Sequence, residues 1–268
     1  MNGNGPQRIV CLTEETTETL YLLEEQDRIV GISGFTVRPP RARREKPKVS
    51  AFTSAKIERI VALAPDLVLG FSDLQADIAA DLIRAGIEVH VFNQRSVVQI
   101  LAFIRSLGGM IGVPDKADAL AIGLERGLDE ARGVASRLSR RPRVYFEEWD
   151  DPMISCIRWV SELIGIAGGD DCFPELAVHQ GGKGRIVVDA QEVVRRQPDL
   201  IMGSWCGKKF RPEKVAARPD WQEIPAVRNG DVYEIKSSEI LQPGPAALTD
   251  GLRRIQSLIV NWSEKQKH

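Results

Sequence analysis

No apolar stretch in this chain approaches the roughly 18 consecutive residues that a spanning helix needs, so no membrane insertion is expected. Neither sign of charge dominates. Lys and Arg total 36 against 37 Asp and Glu, a formal net charge of −1, which leaves no global pull toward nucleic acid or an anionic surface. Local basic runs exist at Arg41, Arg43 and Arg44 and at Arg137, Arg140 and Arg141; these read as solvated surface. Cysteine is sparse. Cys11, Cys156, Cys172 and Cys206 form no C-x-x-C pair, so a structural zinc site, or any metal site, is not expected. An even count permits disulfides without indicating them. Histidine is sparser still: His90, His179 and His268. No G-x-S-x-G, H-E-x-x-H, P-loop or G-x-G-x-x-G is present, so no catalytic residue is expected. Residues Met1 to Gln7 contain no basic n-region, apolar h-region or lipobox cysteine. The expected location is therefore cytoplasmic as written, or periplasmic if a leader was removed.

What is present is an internal echo. Ile60 to Gly70 runs I-V-A-L-A-P-D-L-V-L-G, and Val193 to Gly203 runs V-V-R-R-Q-P-D-L-I-M-G. Each reads as a short helix, a Pro-Asp turn and a buried strand ending at glycine. Recurrence at so long an interval implies two related halves, not a solenoid of short repeats. Strands at Ile9 to Leu12, Arg28 to Ile32, Leu67 to Leu69 and Val89 to Phe92 alternate with helices, which implies an α/β fold with parallel sheet. Residues 33–48, with Pro39, Pro40 and Pro47, read as a loop. A long helix is expected from Pro114 to about Arg140, with Leu120, Leu124, Leu128, Ala131 and Leu138 on one face. Strands restart at Val144 to Phe146. Leu200 to Met202 and Val232 to Ile235 follow, and Ala246 to Trp262 closes the chain as an amphipathic helix. The expected organisation is an N-terminal lobe over 1–113, a connecting helix over 114–140 and a C-terminal lobe over 141–268. Two facing lobes make a cleft, where ligands usually bind.

Parallel sheets gather ligands at the carboxyl ends of their strands. There the sequence offers Thr13, Glu14 and Glu15, then Ser33, Gly34, Phe35 and Arg38, then Phe71, Ser72 and Asp73. The second half offers Glu147, Glu148, Trp149, Asp150 and Asp151, then Ser204, Trp205, Cys206, Lys208 and Lys209. Aromatic plates with few polar anchors suit a large, flat, partly apolar small molecule. The acidic run offers a second use, a metal or cation, although neighbouring carboxylates on a strand face opposite ways. Nearby lysines would favour the Cys206 thiolate.

R-I-V-C-L-T-E-E-T-T-E-T-L, R-I-V-G-I-S-G-F-T-V-R-P-P, I-E-R-I-V-A-L-A-P-D-L-V-L-G, I-A-G-G-D-D and W-Q-E-I-P-A-V-R-N-G-D-V-Y together resemble the substrate-binding proteins of cobalamin and iron-siderophore ABC importers, the cobalamin branch above all. The resemblance covers nearly the whole chain. It implies a periplasmic-binding-protein fold of helical-backbone type, two Rossmann-like lobes joined by one rigid α-helix. It implies a ligand held without turnover: a corrinoid such as cobalamin, or another flat or chelated molecule, with no intrinsic cofactor. Phe35, Phe52 and Phe71 occupy positions where cobalamin binders carry Tyr or Trp against the corrin. In the second lobe Glu148, Trp149, Trp159, Trp205 and Cys206 are the candidates, with Arg38, Ser72 and Lys208 as polar contacts. An ABC permease partner would meet one glutamate per lobe; here those positions hold Glu58 and Gln191, the latter beside Glu192. A monomer is expected. The alternatives are a cytosolic enzyme or sensor using Cys206 with Glu148 or Lys208, and a siderophore- or haem-binding importer component whose leader was removed.

Overall fold

The computed structural model describes residues 5–266. Met1 to Asn4, part of the N-terminal stretch read above, and His268 lie outside the described residues. The chain divides into two compact units. Unit 1 holds the chain as far as Gln94 together with Val98–Leu124; unit 2 holds Arg95–Val97 and the chain from Glu125 onward.

Unit 1 is built on five strands: β1 (Ile9–Cys11), β2 (Ile29–Ser33), β3 (Lys48–Ser50), β4 (Leu67–Phe71) and β5 (Val89–Phe92). They pair in the order β3-β2-β1-β4-β5, all parallel. Strand order therefore reverses between β1 and β4. Strands buried on both faces read as continuous apolar runs, and I-V-C and L-V-L-G-F fit that rule with every residue buried. Helix α1 (Glu14–Leu22) follows β1 directly. The stretch expected to be loop contains a short helix, Ala42–Glu45, and runs into β3 at its last residue, Lys48. Its three prolines hid a strand of only three residues.

Unit 2 has β6 (Arg143–Asp150), β7 (Met153–Ser155), β8 (Asp170–Asp171), β9 (Leu200–Gly203) and β10 (Val232–Glu234). The order is β10-β9-β6-β7, with β8 also on β6. Pairing is parallel except for the β6–β7 hairpin; the parallel sheet expected from the first half of the chain is the arrangement of unit 1. The Asp151–Pro152 turn explains the reversal: proline fixes φ and supplies no N–H to the ladder. The helix Arg158–Ala167 ends at Gly168, whose φ of 99° is the left-handed cap glycine adopts readily.

The helix Pro114–Ala135 runs without a break from unit 1 into unit 2. Ala117, Ala121, Leu124, Leu128, Ala131 and Ala135 are its buried stripe, at the 3–4 residue spacing of one helical face. It stops five residues short of Arg140 because residues 136–138 tighten into a turn. Gly108, on the preceding helix Val97–Met110, is where these two helices nearly touch; a Cβ there would overlap Ala117. The closing helix is Leu252–Lys265, entered through a wider turn over Ala247–Gly251.

The echo has a structural meaning. Ala64 (φ 44°) and Gln197 (φ 47°), each before the Pro-Asp pair, are both left-handed. The following aspartates do the same work. Asp66 accepts from the N–H groups of Gln7 and Arg8 at 2.7 and 2.8 Å; Asp199 accepts from the N–H of Arg143 at 2.8 Å and from Arg140 at 2.9 Å. Each carboxylate thus ties the start of its own strand, β4 or β9, to the start of the neighbouring β1 or β6.

Candidate functional site

In unit 1 the carboxyl ends of β1 to β4 share one edge. Gln75, which the sequence reading missed, organises it. Fully buried, it accepts from the Phe71 N–H at 2.9 Å and donates to the carbonyl of Phe52 at 2.8 Å and of Leu12 at 3.4 Å. One amide thereby holds the ends of β1 and β4 and the segment after β3 in register. The only hint in the sequence was an amide four residues past a strand. Phe71 is buried beneath this edge, Phe52 is half-buried, and Phe35 is 62 % exposed. Ser72 is buried at φ 62° and its hydroxyl accepts from the Leu74 N–H at 3.3 Å. Arg38 pairs with Glu18 at 2.9 Å and lines an indentation of about 310 Å³ with Tyr21, Leu22, Pro39, Pro40 and Arg41.

Glu14 and Glu15 open α1 behind this edge, 5 % and 1 % exposed. Burial pushes the Glu14 carboxyl up to about 8 against a backbone hydrogen bond from Val37, with Glu18 and Glu15 adding to the rise. Burial likewise raises Glu15 to about 7, although the Thr13 hydroxyl donates to it at 2.6 Å.

In unit 2 the acidic run turns inward. Glu147, fully buried, accepts from Arg218 through two bonds of 2.6 and 2.9 Å, from the Trp205 indole at 3.0 Å and from the Tyr145 hydroxyl at 3.0 Å. Glu148 faces the other way and takes a two-pronged bond from Arg185 at 2.6 and 2.9 Å. Alternation along β6 dictates this divergence. Asp150 pairs with Lys208; that hydrogen bond outweighs burial and holds its carboxyl below the usual range. Among the described residues no group of three or more His, Cys, Asp or Glu is arranged to hold a metal. The cation use of the acidic run is thus corrected: Glu147, Glu148 and Asp150 each meet a cation from unit 2 itself.

The remaining aromatics divide. Trp149 is half-buried, donates to the Asp151 carbonyl at 2.9 Å and carries the Lys208 ammonium 4.1 Å above its ring, a cation–π arrangement. Trp205 is 4 % exposed and stacks edge-on against Phe210 at 4.9 Å. Gly203 makes that packing fit, since a Cβ there would overlap the Phe210 ring. Trp159 stands elsewhere, on the buried face of its helix, with its indole donating to the Ile240 carbonyl at 2.8 Å. An apolar helix face turns its largest ring inward, and the structure spends Trp159 on unit 2's own core. Cys206 is exposed, but desolvation and the charge of Glu148 push its thiol up. That reverses the expectation of a depressed thiol, because Lys208 is drawn to Asp150 and the two tryptophans.

For docking, Glu58 is exposed in the first turn of the helix Ile57–Ala62. Gln191 donates to Asp220 at 2.7 Å. Glu192 is held by Arg196 and Arg195, both at 2.8 Å, which keep it below the usual range. Its charge is already answered within its own helix.

Comparison with known proteins agrees with this architecture. The family described as "Periplasmic binding protein" matches residues 9–239. A vitamin B12-binding protein of Vibrio parahaemolyticus is 25 % identical over 251 residues, 92 % of this chain and 87 % of that one. An uncharacterized ABC transporter substrate-binding lipoprotein of Bacillus subtilis is 26 % identical over 263 residues, 95 % of this chain and 80 % of that one. A periplasmic heme-binding protein from Roseiflexus sp. RS-1, solved in apo form, superposes with a TM-score of 0.79 at 22 % identity, covering 95 % and 100 % of the two chains.

Proposed function

Because the chain belongs to the periplasmic binding protein family, we propose that it is the ligand-binding component of an ABC importer, holding a corrinoid without turning it over. The observation that carries the reading is the edge of unit 1. Phe35 stands 62 % exposed there, although a phenyl ring ordinarily avoids water, and it sits where a flat ring system would cover it. Phe52, Arg38, Ser72 and Phe71 frame the same edge. In unit 2 we assign the exposed part to Trp149, Cys206 and Lys208, with Glu148 and Trp205 acting as support beneath. The vitamin B12-binding relative supports a corrinoid over haem or a chelated iron. Haem takes a His, Cys thiolate, Met or Tyr axial ligand, and the raised thiol makes Cys206 a poor one among these. The same raised thiol, with Glu148 taken by Arg185, works against the enzyme alternative.

The lipoprotein relative favours the periplasmic side of the expected location; nothing supports the cytoplasmic one. We assign permease docking to Glu58 in unit 1 and, in unit 2, to Asp220 beside Gln191 in place of Glu192. Function as a monomer completes the proposal. An absorbance titration tests it: cobalamin or cobinamide should bind one per chain, at or below about 1 μM (roughly 8 kcal/mol). No spectral change with either would refute it.

A further inference from the structure

Phe35 stands out of a turn whose other side chains are hidden. Ser33, where β2 ends, and Thr36 are 2 % and 0 % exposed, against 62 % for Phe35. An apolar ring on a loose turn would fold back against the surface to leave water, so something holds this one out. Every N–H from Gly34 to Thr36 is bound. Gly34 donates to the Ser50 carbonyl at 2.7 Å, Phe35 to the Ser33 hydroxyl at 3.3 Å and Thr36 to the Ser33 carbonyl at 3.1 Å. These bonds close the turn and tie it to the end of β3.

Two of its carbonyls are held from outside the turn. Arg43, on the short helix Ala42–Glu45, donates through Nη1 to the carbonyl of Gly34 at 2.7 Å and to that of Thr36 at 2.9 Å. Those carbonyls flank Phe35 on either side. In the sequence the run around Arg43 reads as solvated surface, and Arg43 is indeed exposed, but its charged end is committed to this turn. A guanidinium is planar, with its N–H groups at fixed angles, and bonds from an ionised donor are roughly twice as strong as neutral ones. One nitrogen bridging both carbonyls fixes their separation, and with it the direction of the single residue between them. We propose that Arg43 is a positioning residue for ligand binding: it touches no ligand, and it sets Phe35 as a rigid plate before the ligand arrives. The proposal rests on the reading above that Phe35 meets a corrinoid. Ordering a side chain or loop during binding costs affinity, so a plate set in advance binds more tightly.

The test is a double-mutant cycle, read by absorbance titration with dicyanocobinamide. Phe35→Ala should weaken binding at least about tenfold. With Phe35 in place, Arg43→Met, which keeps a long stem and removes every donor, should weaken binding about tenfold. Arg43→Lys, which restores donors without the planar fork, should weaken it about threefold. In the Phe35→Ala background both changes should alter affinity by less than about twofold. Either Arg43 variant completes a cycle by itself should the other not fold. In ligand-free protein Arg43→Met should also speed amide exchange at Gly34 and Thr36 about tenfold. Losses that simply add would mean that Arg43 meets the ligand directly. Full affinity in the Arg43 variants with Phe35 present would mean that the turn needs no clasp. Either result overturns the positioning role and leaves the corrinoid reading standing, as does full affinity in Phe35→Ala. No binding of cobinamide by the unaltered chain removes that reading and this inference with it.

Discussion

Two glutamates at the start of α1 decide how this protein responds to pH. The folded state holds Glu14 and Glu15 with pKa values raised to about 8 and about 7. A raised carboxyl contributes its full share of stability below the unfolded value of about 4.5 and loses it as pH rises through the folded value. The ligand-free protein should therefore lose on the order of several kcal/mol between pH 5 and pH 8. Glu14→Gln with Glu15→Gln should flatten that decline, as urea unfolding at the two pH values would reveal; an unchanged slope would count against the assignment. In unit 2 the decisive residue is Glu147. Removing Arg218 strands a fully buried carboxylate, and Arg218→Ala should cost about 3–5 kcal/mol, read from the shift in unfolding midpoint. Glu147 and Glu148 stood in plain sight in E-E-W-D-D. Their arginines did not: Arg185 and Arg218 lie 37 and 71 residues away in sequence, and only the tertiary fold brings them in. Glu14 and Glu15 were recognisable as strand-end residues, but their burial depends on what the loop after β2 places above them.

At the scale of elements, the repeated Pro-Asp turn is a staple between neighbouring strands. Asp199 is 5 % exposed and receives three groups, from Arg140, Arg143 and the Arg143 backbone; Asp66 is exposed. Asp199→Ala should thus destabilise by about 2–4 kcal/mol and Asp66→Ala by about 1 kcal/mol, a difference that thermal melts would resolve. Equal costs would mean the echo is sequence likeness without common mechanics. The long helix invites the opposite kind of change. Gly123 and Gly127 have open space where a Cβ would go and no positive φ, so alanine at each should stabilise by about 0.5–1 kcal/mol. Elements with a clear period or turn signal were legible: β1, β4, β9 and the long helix. The helix Val97–Met110 was not, because V-V-Q-I-L-A-F-I is apolar at nearly every position and shows no single face. The short β7 and β8 were hidden too, since two or three residues cannot establish a period of two.

For the whole molecule, an importer-type binding protein should show two separable surfaces, one for ligand and one for permease. Charge reversal at Glu58 or Asp220 should leave ligand affinity unchanged while weakening transport. The broad fold was readable because the motifs run in order along nearly the whole chain. The ligand surface was readable only as a list of strand-end residues, from which burial then separated Phe35 and Trp149 from Trp159 and Trp205. The most direct measurement is native mass spectrometry of the protein incubated with equimolar cobinamide, cobalamin and haem. One corrinoid per chain, released chemically unchanged, is the result this account predicts. A haem adduct in its place, a modified corrinoid, or no adduct would contradict it.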